Sequence, residues 1–263
     1  MAVRVGIIGC GFIGAALTDR IATSNGAMEL AFVYNRTADR IASFPSSLQL
    51  RDPDAFQSYQ PDLIVEASHP VITRNHGTDF LSASNYMPLS TSALLNDALR
   101  ERLIGTAAEM GTRLFLPAGA LIGGNELVKR QTPWKHVKIT FRKNPRNIDF
   151  DDTQPWKDND GEAITLFDGS VRAVAEHFPR NVNTMVTCAL LSTGLDACQG
   201  VLIADPALDC AVAEVEAWDV EGGYFRTEKR QPAVGVSGTE MVDSAWYSLQ
   251  RAAGLATQPL LYV

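Results

Sequence analysis

Apolar residues follow two rhythms along this chain, and the rhythm changes near Pro117. Up to Leu116, short aliphatic and β-branched runs alternate with stretches in which apolar positions recur every three or four residues. The first pattern is that of buried strands and the second that of amphipathic helices. Strands are expected at Val3–Ile8, Leu30–Tyr34, Leu63–Glu66, Met87–Ser90 and Thr112–Leu116, and helices at Phe12–Ala22, Thr73–Ala83 and Asn96–Glu109. Asn96 and Asp97 are suitable caps for the last helix. Such an alternation predicts βαβ units around a parallel sheet.

After Pro117 the strands lengthen and polar loops intervene, including the stretch from Asn144 to Gly161 with two prolines. Strands are expected near His136–Phe141, Ala163–Phe167, Gln199–Ala204, Ala211–Trp218 and Tyr224–Lys229, with a helix at Val182–Leu191. This half has no regular alternation, which predicts an α+β arrangement. Met241, Val242, Ala245, Trp246 and Leu249 then mark an amphipathic helix over Gly238–Ala253, expected to pack back on the first half.

The first strand runs directly into Gly9-Cys10-Gly11-Phe12-Ile13-Gly14, a GxGxxG that opens the first helix. In that context Gly9 permits the tight turn, Gly11 admits a pyrophosphate, and Gly14 lets helix and strand approach. The N–H groups of the opening turn, those of Phe12 and Ile13 among them, then face the diphosphate. The motif predicts a Rossmann fold. The chain therefore reads as α/β: an N-terminal dinucleotide-binding domain over 1–117, a C-terminal α+β substrate and dimerisation domain over 118–237, and a C-terminal helix and tail over 238–263.

At the end of the second strand stands Tyr34-Asn35-Arg36-Thr37, with no carboxylate for a ribose 2′-hydroxyl. Arg36 suits a 2′-phosphate, so NADP is the expected cofactor and NAD is also allowed; a merely solvated Arg36 would fit both. Ligands of open parallel sheets lie beyond the carboxyl ends of the strands, which brings Asn35, Ala67, Ser68 and His69 to the cofactor crevice. His69 is either an acid–base group or a hydrogen-bonded loop histidine.

Composition narrows the function. A net charge of −7 and a pI near 5.1 argue against a nucleic-acid or anionic-membrane surface. With 46% hydrophobic and 20% charged residues over 263 positions, the chain is of ordinary globular type and long enough for one large domain or two modest ones. No apolar run is long enough to span a bilayer, and the N-terminus enters a strand without an export signal, so a cytoplasmic location is expected. Cys10, Cys188, Cys198 and Cys210 show no metal or redox spacing, and no metal site is expected.

The Rossmann motif, Val33–Arg36, Pro61–Ala67, Ala118–Gly124, Thr140–Pro145 and above all Phe178-Pro179-Arg180-Asn181-Val182-Asn183-Thr184 beside Phe167–Arg172 resemble the L-aspartate dehydrogenase family over nearly the whole chain. That resemblance implies hydride transfer between NAD(P) and a small amino, imino or oxo acid. It places cofactor contacts at Ala120 and Asn183, with Asn181 beside them, and a substrate-binding basic pair at Arg142 and Lys143. The asparagines also fit a capping role before the helix at Val182.

The family's catalytic histidine would fall within Ala211–Ala213, where this chain has none; its four histidines are His69, His76, His136 and His177. The family's Asn-Pro-Lys-Thr-Ser segment is replaced by Val236-Ser237-Gly238-Thr239-Glu240. Loss of a general acid–base costs about 10²–10⁴-fold unless another group substitutes, and His69, Glu214 and Lys143 are the catalytic candidates. Two functions are therefore expected to compete: a homodimeric NAD(P)-dependent dehydrogenase acting on a small molecule, and a catalytically weak NADP-binding regulatory protein that kept the fold.

Overall fold

A computed structural model describes residues 2–130, 132–150, 156, 159–234, 237–238 and 240–255. It divides into two compact units, one of residues 1–117 with 242–263 and one of residues 118–241. Ala118 opens the second unit, and Met241 rather than residue 237 closes it.

The first unit is built on a parallel sheet of β1 (Val3–Ile8), β2 (Met28–Tyr34), β3 (Leu63–Glu66) and β4 (Asn85–Pro88) in the order β2-β1-β3-β4. The expected fifth strand at Thr112–Leu116 is reduced to a single bridge between Tyr86 and Leu114, with Phe115 N–H donating to Tyr86 O at 2.8 Å. Pro117, which has no N–H, stops the ladder from extending.

The helices follow their local signals. In α1 (Phe12–Ala22), Leu17 and Ile21 stand one turn apart and are buried, while Phe12 is 66% exposed. Helix α2 (Pro70–Leu81) starts three residues earlier than expected, because Pro70 is suited to a first helical turn and His69 caps it. Helix α3 (Asp97–Met110) is capped by Asn96, whose Oδ1 accepts from Leu99 N–H at 2.9 Å, and ends at Gly111 with φ +71°.

The second unit carries a mixed sheet formed by β5 (Trp134–Lys143), β6 (Ile164–Ser170), β7 (Gln199–Ala204), β8 (Cys210–Asp219), β9 (Tyr224–Val234) and β10 (Ser237–Gly238), in the order β10-β9-β8-β5-β7-β6. Only β5 and β7 run parallel. Helices α4 (Gly124–Lys129), α5 (Val171–His177) and α6 (Asn183–Leu190) complete it. The short α4 and α5 escape a periodicity reading, since seven residues or fewer span barely two turns.

Helix α7 (Met241–Ala252) begins later than the Gly238 expected from the sequence, because Ser237 and Gly238 pair with Val234 and Ala233 of β9. Its Ala245 and Leu249 join the first unit's core with Val5, Ile7, Leu17, Ile21 and Val65. Truncating Leu249 to alanine would cost about 2–5 kcal/mol at such a site. The tail beyond Leu255, expected to follow this helix, lies outside the described residues.

Candidate cofactor and substrate sites

The carboxyl ends of β1, β2 and β3 meet around the glycine motif. Gly9 has φ +98°, and a Cβ there would stand 2.6 Å from both Ala67 O and Ser68 Cβ. A Cβ on Gly14 would overlap Gly9 O. At Gly11, by contrast, a Cβ would meet nothing within 4 Å, so this exposed start of α1 is open to a ligand. Two glycines are required by the protein's own packing, and the third leaves a cradle of the kind a diphosphate fills. Asn35 fixes the loop, accepting from Cys10 N–H at 3.0 Å and donating to Thr37 O at 3.0 Å.

A cleft of about 270 Å³ runs past Gly9, Asn35, Arg36, Thr37, Ser68 and His69. Arg36 is exposed and has no ion-pair partner among the described residues. His69 Nδ1 accepts from Val71 N–H at 3.2 Å, which makes the ring the cap of α2. Glu66, fully buried at the end of β3, accepts from Ser68 N–H at 2.6 Å, Ser90 N–H at 3.1 Å and Ser90 Oγ at 3.1 Å. Burial pushes its carboxyl up, against the lowering by the Ser68 and Ser90 hydrogen bonds. Glu66 thus ties together the loops after β3 and β4, a role its place in an apolar run did not reveal.

The second unit has a smaller cavity, about 90 Å³, at the end of β5 and β9, the start of β8 and the start of α6. Ala120, Lys143, Asn181, Asn183, Ala211 and Gln231 are among its lining residues. Register explains the arrangement: Phe141 pairs with Ala213, Arg142 with Val212, and Ala211 with Gln231. Continuing that register sets Lys143 beside Ala211, so Lys143, Ala211 and Gln231 form one row across three strands and share a face. The small central residue leaves a hollow between two long ones. A histidine at Ala211 or Ala213 would stand in that hollow.

Lys143 is 7% exposed, and its Nζ lies 5.3 Å from the Phe141 ring centroid. Burial pushes its pKa from an ordinary 10.5 down to about 8. Asn181 accepts from Asp149 N–H at 3.3 Å and donates to Asp149 O at 3.0 Å, so its amide holds the loop beside the cavity. Thr184, which the sequence did not single out, accepts from Ala120 N–H at 3.1 Å through Oγ1. A Cβ on Gly119, at φ +58°, would stand 2.7 Å from that oxygen. The Ala118–Gly124 turn is therefore fixed to α6.

Strand alternation separates residues that stand together in the sequence. Arg142 is exposed on the opposite face from Lys143. Glu214 also lies on that opposite face, paired with Arg226 at 2.6 Å. His69, in the first unit, lines the cleft beside Gly9. Asp54, His76 and Asp79 form a further group on the first unit, with His76 Nδ1 2.8 Å from Asp54 Oδ1.

Both units resemble known proteins. The model of the homoserine dehydrogenase NAD-binding domain matches residues 9–117, and that of the aspartate dehydrogenase C-terminal domain matches residues 126–245. An aspartate dehydrogenase domain-containing protein of Xenopus tropicalis is 33% identical, covering 95% of each chain. An L-aspartate dehydrogenase of Thermotoga maritima is 29% identical over 84% of this chain and 85% of its own. The crystal structure of an aspartate dehydrogenase from Thermotoga maritima superposes with a TM-score of 0.76 over the whole of both chains, at 23% identity, and shares the fold. With its glycine-cradled N-terminal unit and its mixed-sheet C-terminal unit, the chain belongs to the aspartate dehydrogenase family of NAD(P)-dependent oxidoreductases.

Proposed function

We propose that this protein interconverts a small amino acid and its imino or oxo acid, using NADP with NAD also accepted. Lys143 is the group that handles the proton. The observation that carries this reading is a buried amine, with a pKa near 8, at the edge of a hollow floored by Ala211 and Ala213. An amino acid must shed an ammonium proton before a hydride can leave its α-carbon, and a neutral Lys143 accepts that proton. The bound nicotinamide supplies the acceptor for the hydride. In the reverse direction Lys143 returns the proton to nitrogen. Arg180, at the cavity edge and paired with Asp149 at 2.9 Å, is placed to hold the substrate carboxylate.

Among the other two catalytic candidates, Glu214 is engaged by Arg226 on the far face and His69 is engaged as a helix cap. Ala120 and Asn183 remain the second unit's cofactor contacts, supported by their position on the cavity wall. Arg36 in the first unit's cleft supports NADP.

We also expect a cytoplasmic homodimer. The free cysteines suit a reducing compartment. The far face of β5, β8 and β9 offers opposite charges to a second copy, with Lys138–Glu216 and Arg226–Glu214 pairs beside the Trp218 and Tyr224 rings.

The test is nucleotide binding followed by turnover. NADPH is expected to bind with a fluorescence change, and oxidation of an amino acid from a panel that includes L-aspartate is expected to produce it. Tight NADPH binding without turnover across the panel would transfer the protein to the regulatory reading.

A further inference from the structure

We propose that Gln231 reads the far end of the substrate, and that it selects a group carrying both a hydrogen-bond donor and an acceptor, a carboxamide or a hydroxyl, over a second carboxylate. This rests on the dehydrogenase reading of the same cavity.

Gln231 is 5% exposed and lines the cavity, and its Oε1 has no hydrogen-bond partner. Its side-chain amide makes no hydrogen bond with any described residue, although its neighbour Asn181, equally buried, has both ends of its amide engaged. Buried amide oxygens are ordinarily paired, and the Oε1 of Gln231, left without a partner beside a cavity, is a group waiting for a ligand.

The chemistry of the missing partner follows from the amide itself. It offers an acceptor at Oε1 and two donors at Nε2. A carboxylate accepts only, so it satisfies Nε2 and leaves the carbonyl oxygen orphaned against another negative oxygen. A carboxamide satisfies both ends, and a hydroxyl satisfies either. A half-turn about the terminal bond exchanges oxygen and nitrogen without altering this conclusion, because each orientation presents one acceptor and one donor face.

Position supports the assignment. Gln231 and Lys143 flank Ala211, two inter-strand steps or roughly 10 Å apart at their Cα atoms. That span suits a short amino acid with its nitrogen toward Lys143 and its side-chain terminus toward Gln231. The cations Lys143 and Arg180 lie elsewhere on the cavity wall.

The experiment compares matched pairs that differ only at the far end, asparagine with aspartate and glutamine with glutamate, in wild type, Gln231→Leu and Gln231→Glu. Rates are measured with NADP⁺, and amino-acid binding to the NADPH-loaded protein is measured by calorimetry. Wild type is expected to favour the amide member of a pair by about tenfold or more in kcat/KM or in Kd. Gln231→Leu is expected to erase that preference through KM, and Gln231→Glu should weaken the acidic member further. A wild type that prefers the dicarboxylates, or a Gln231→Leu protein with unaltered discrimination, overturns the proposal. Calorimetry separates the two readings: selective binding without turnover sinks the dehydrogenase and keeps Gln231, whereas turnover without amide selectivity does the reverse. A wild-type thermal unfolding transition reports that each variant is folded.

Discussion

Gly14 sits so close beneath Gly9 that any Cβ on it would overlap the Gly9 carbonyl oxygen. Gly11, between them in sequence, faces open space. The same motif therefore contains two glycines demanded by the fold, Gly9 and Gly14, and one, Gly11, whose open face suits a ligand. Gly14→Ala is expected to unfold or severely destabilise the first unit, seen as loss of its thermal transition. Gly11→Val should retain the wild-type melting curve while NADPH binding, followed by fluorescence, falls at least a hundredfold because the side chain fills the diphosphate space. Equal loss of stability in both variants would show that the open face of Gly11 is not the cofactor cradle.

Glu66 joins two loops that come from different strands through direct hydrogen bonds to Ser68 and Ser90. Replacing it with alanine removes the acceptor from the N–H groups of Ser68 and Ser90. An unsatisfied buried donor costs about 1–3 kcal/mol, so Glu66→Ala should lose about 2–5 kcal/mol in denaturant unfolding. Glu66→Gln keeps one oxygen and should lose about half as much. NADPH affinity should follow the same order, since Ser68 lines the cleft proposed for the nucleotide.

How much of this was legible beforehand depends on whether the signal was local. Helix α1 followed from a glycine motif and a regular stripe, and α3 from Asn96, because caps and periodicity act within one turn. The start of α7 was misplaced because Ser237 and Gly238 are claimed by a strand partner, a tertiary effect. Arg142 and Lys143 look like a basic pair in the sequence, yet a period of two in β5 sends them to opposite faces; that outcome was implicit in the strand itself. Gln231 had no signal. Its strand was expected to end at Lys229, and nothing in a glutamine's neighbours reveals that its amide will be buried beside an alanine.

Arg36 tests cofactor choice. It is exposed at the rim of the cleft that Gly9 and Asn35 form, with no competing ion pair among the described residues. A 2′-phosphate there gains charge-assisted hydrogen bonds that a 2′-hydroxyl does not. Arg36→Ala is expected to weaken NADPH by about 10–100-fold and NADH by less than about threefold, measured as Kd at fixed ionic strength. The NADPH advantage should also shrink with added salt in wild type only. Equal weakening of both nucleotides would instead make Arg36 an adenine contact.

Lys143, as the proposed base, would link activity and stability through one proton. Its folded pKa, about 8, lies below the ordinary 10.5 because burial disfavours the ammonium. Amino-acid oxidation needs the neutral amine, so kcat/KM should rise about tenfold per pH unit up to pH 8 and then level; reductive amination needs the ammonium and should fall above pH 8. Lys143→Met should lower both by about 10²–10⁴-fold and abolish the inflection. Stability moves with the same proton. Because the unfolded chain binds it more tightly, the buried amine destabilises the fold by about 3 kcal/mol below pH 8, a penalty that fades as the pH rises to 10.5. Lys143→Met should therefore be the more stable protein at pH 7 and lose that advantage near pH 10.5. A melting difference that ignores pH across this window would place the ammonium in a solvated site and remove Lys143 as the base.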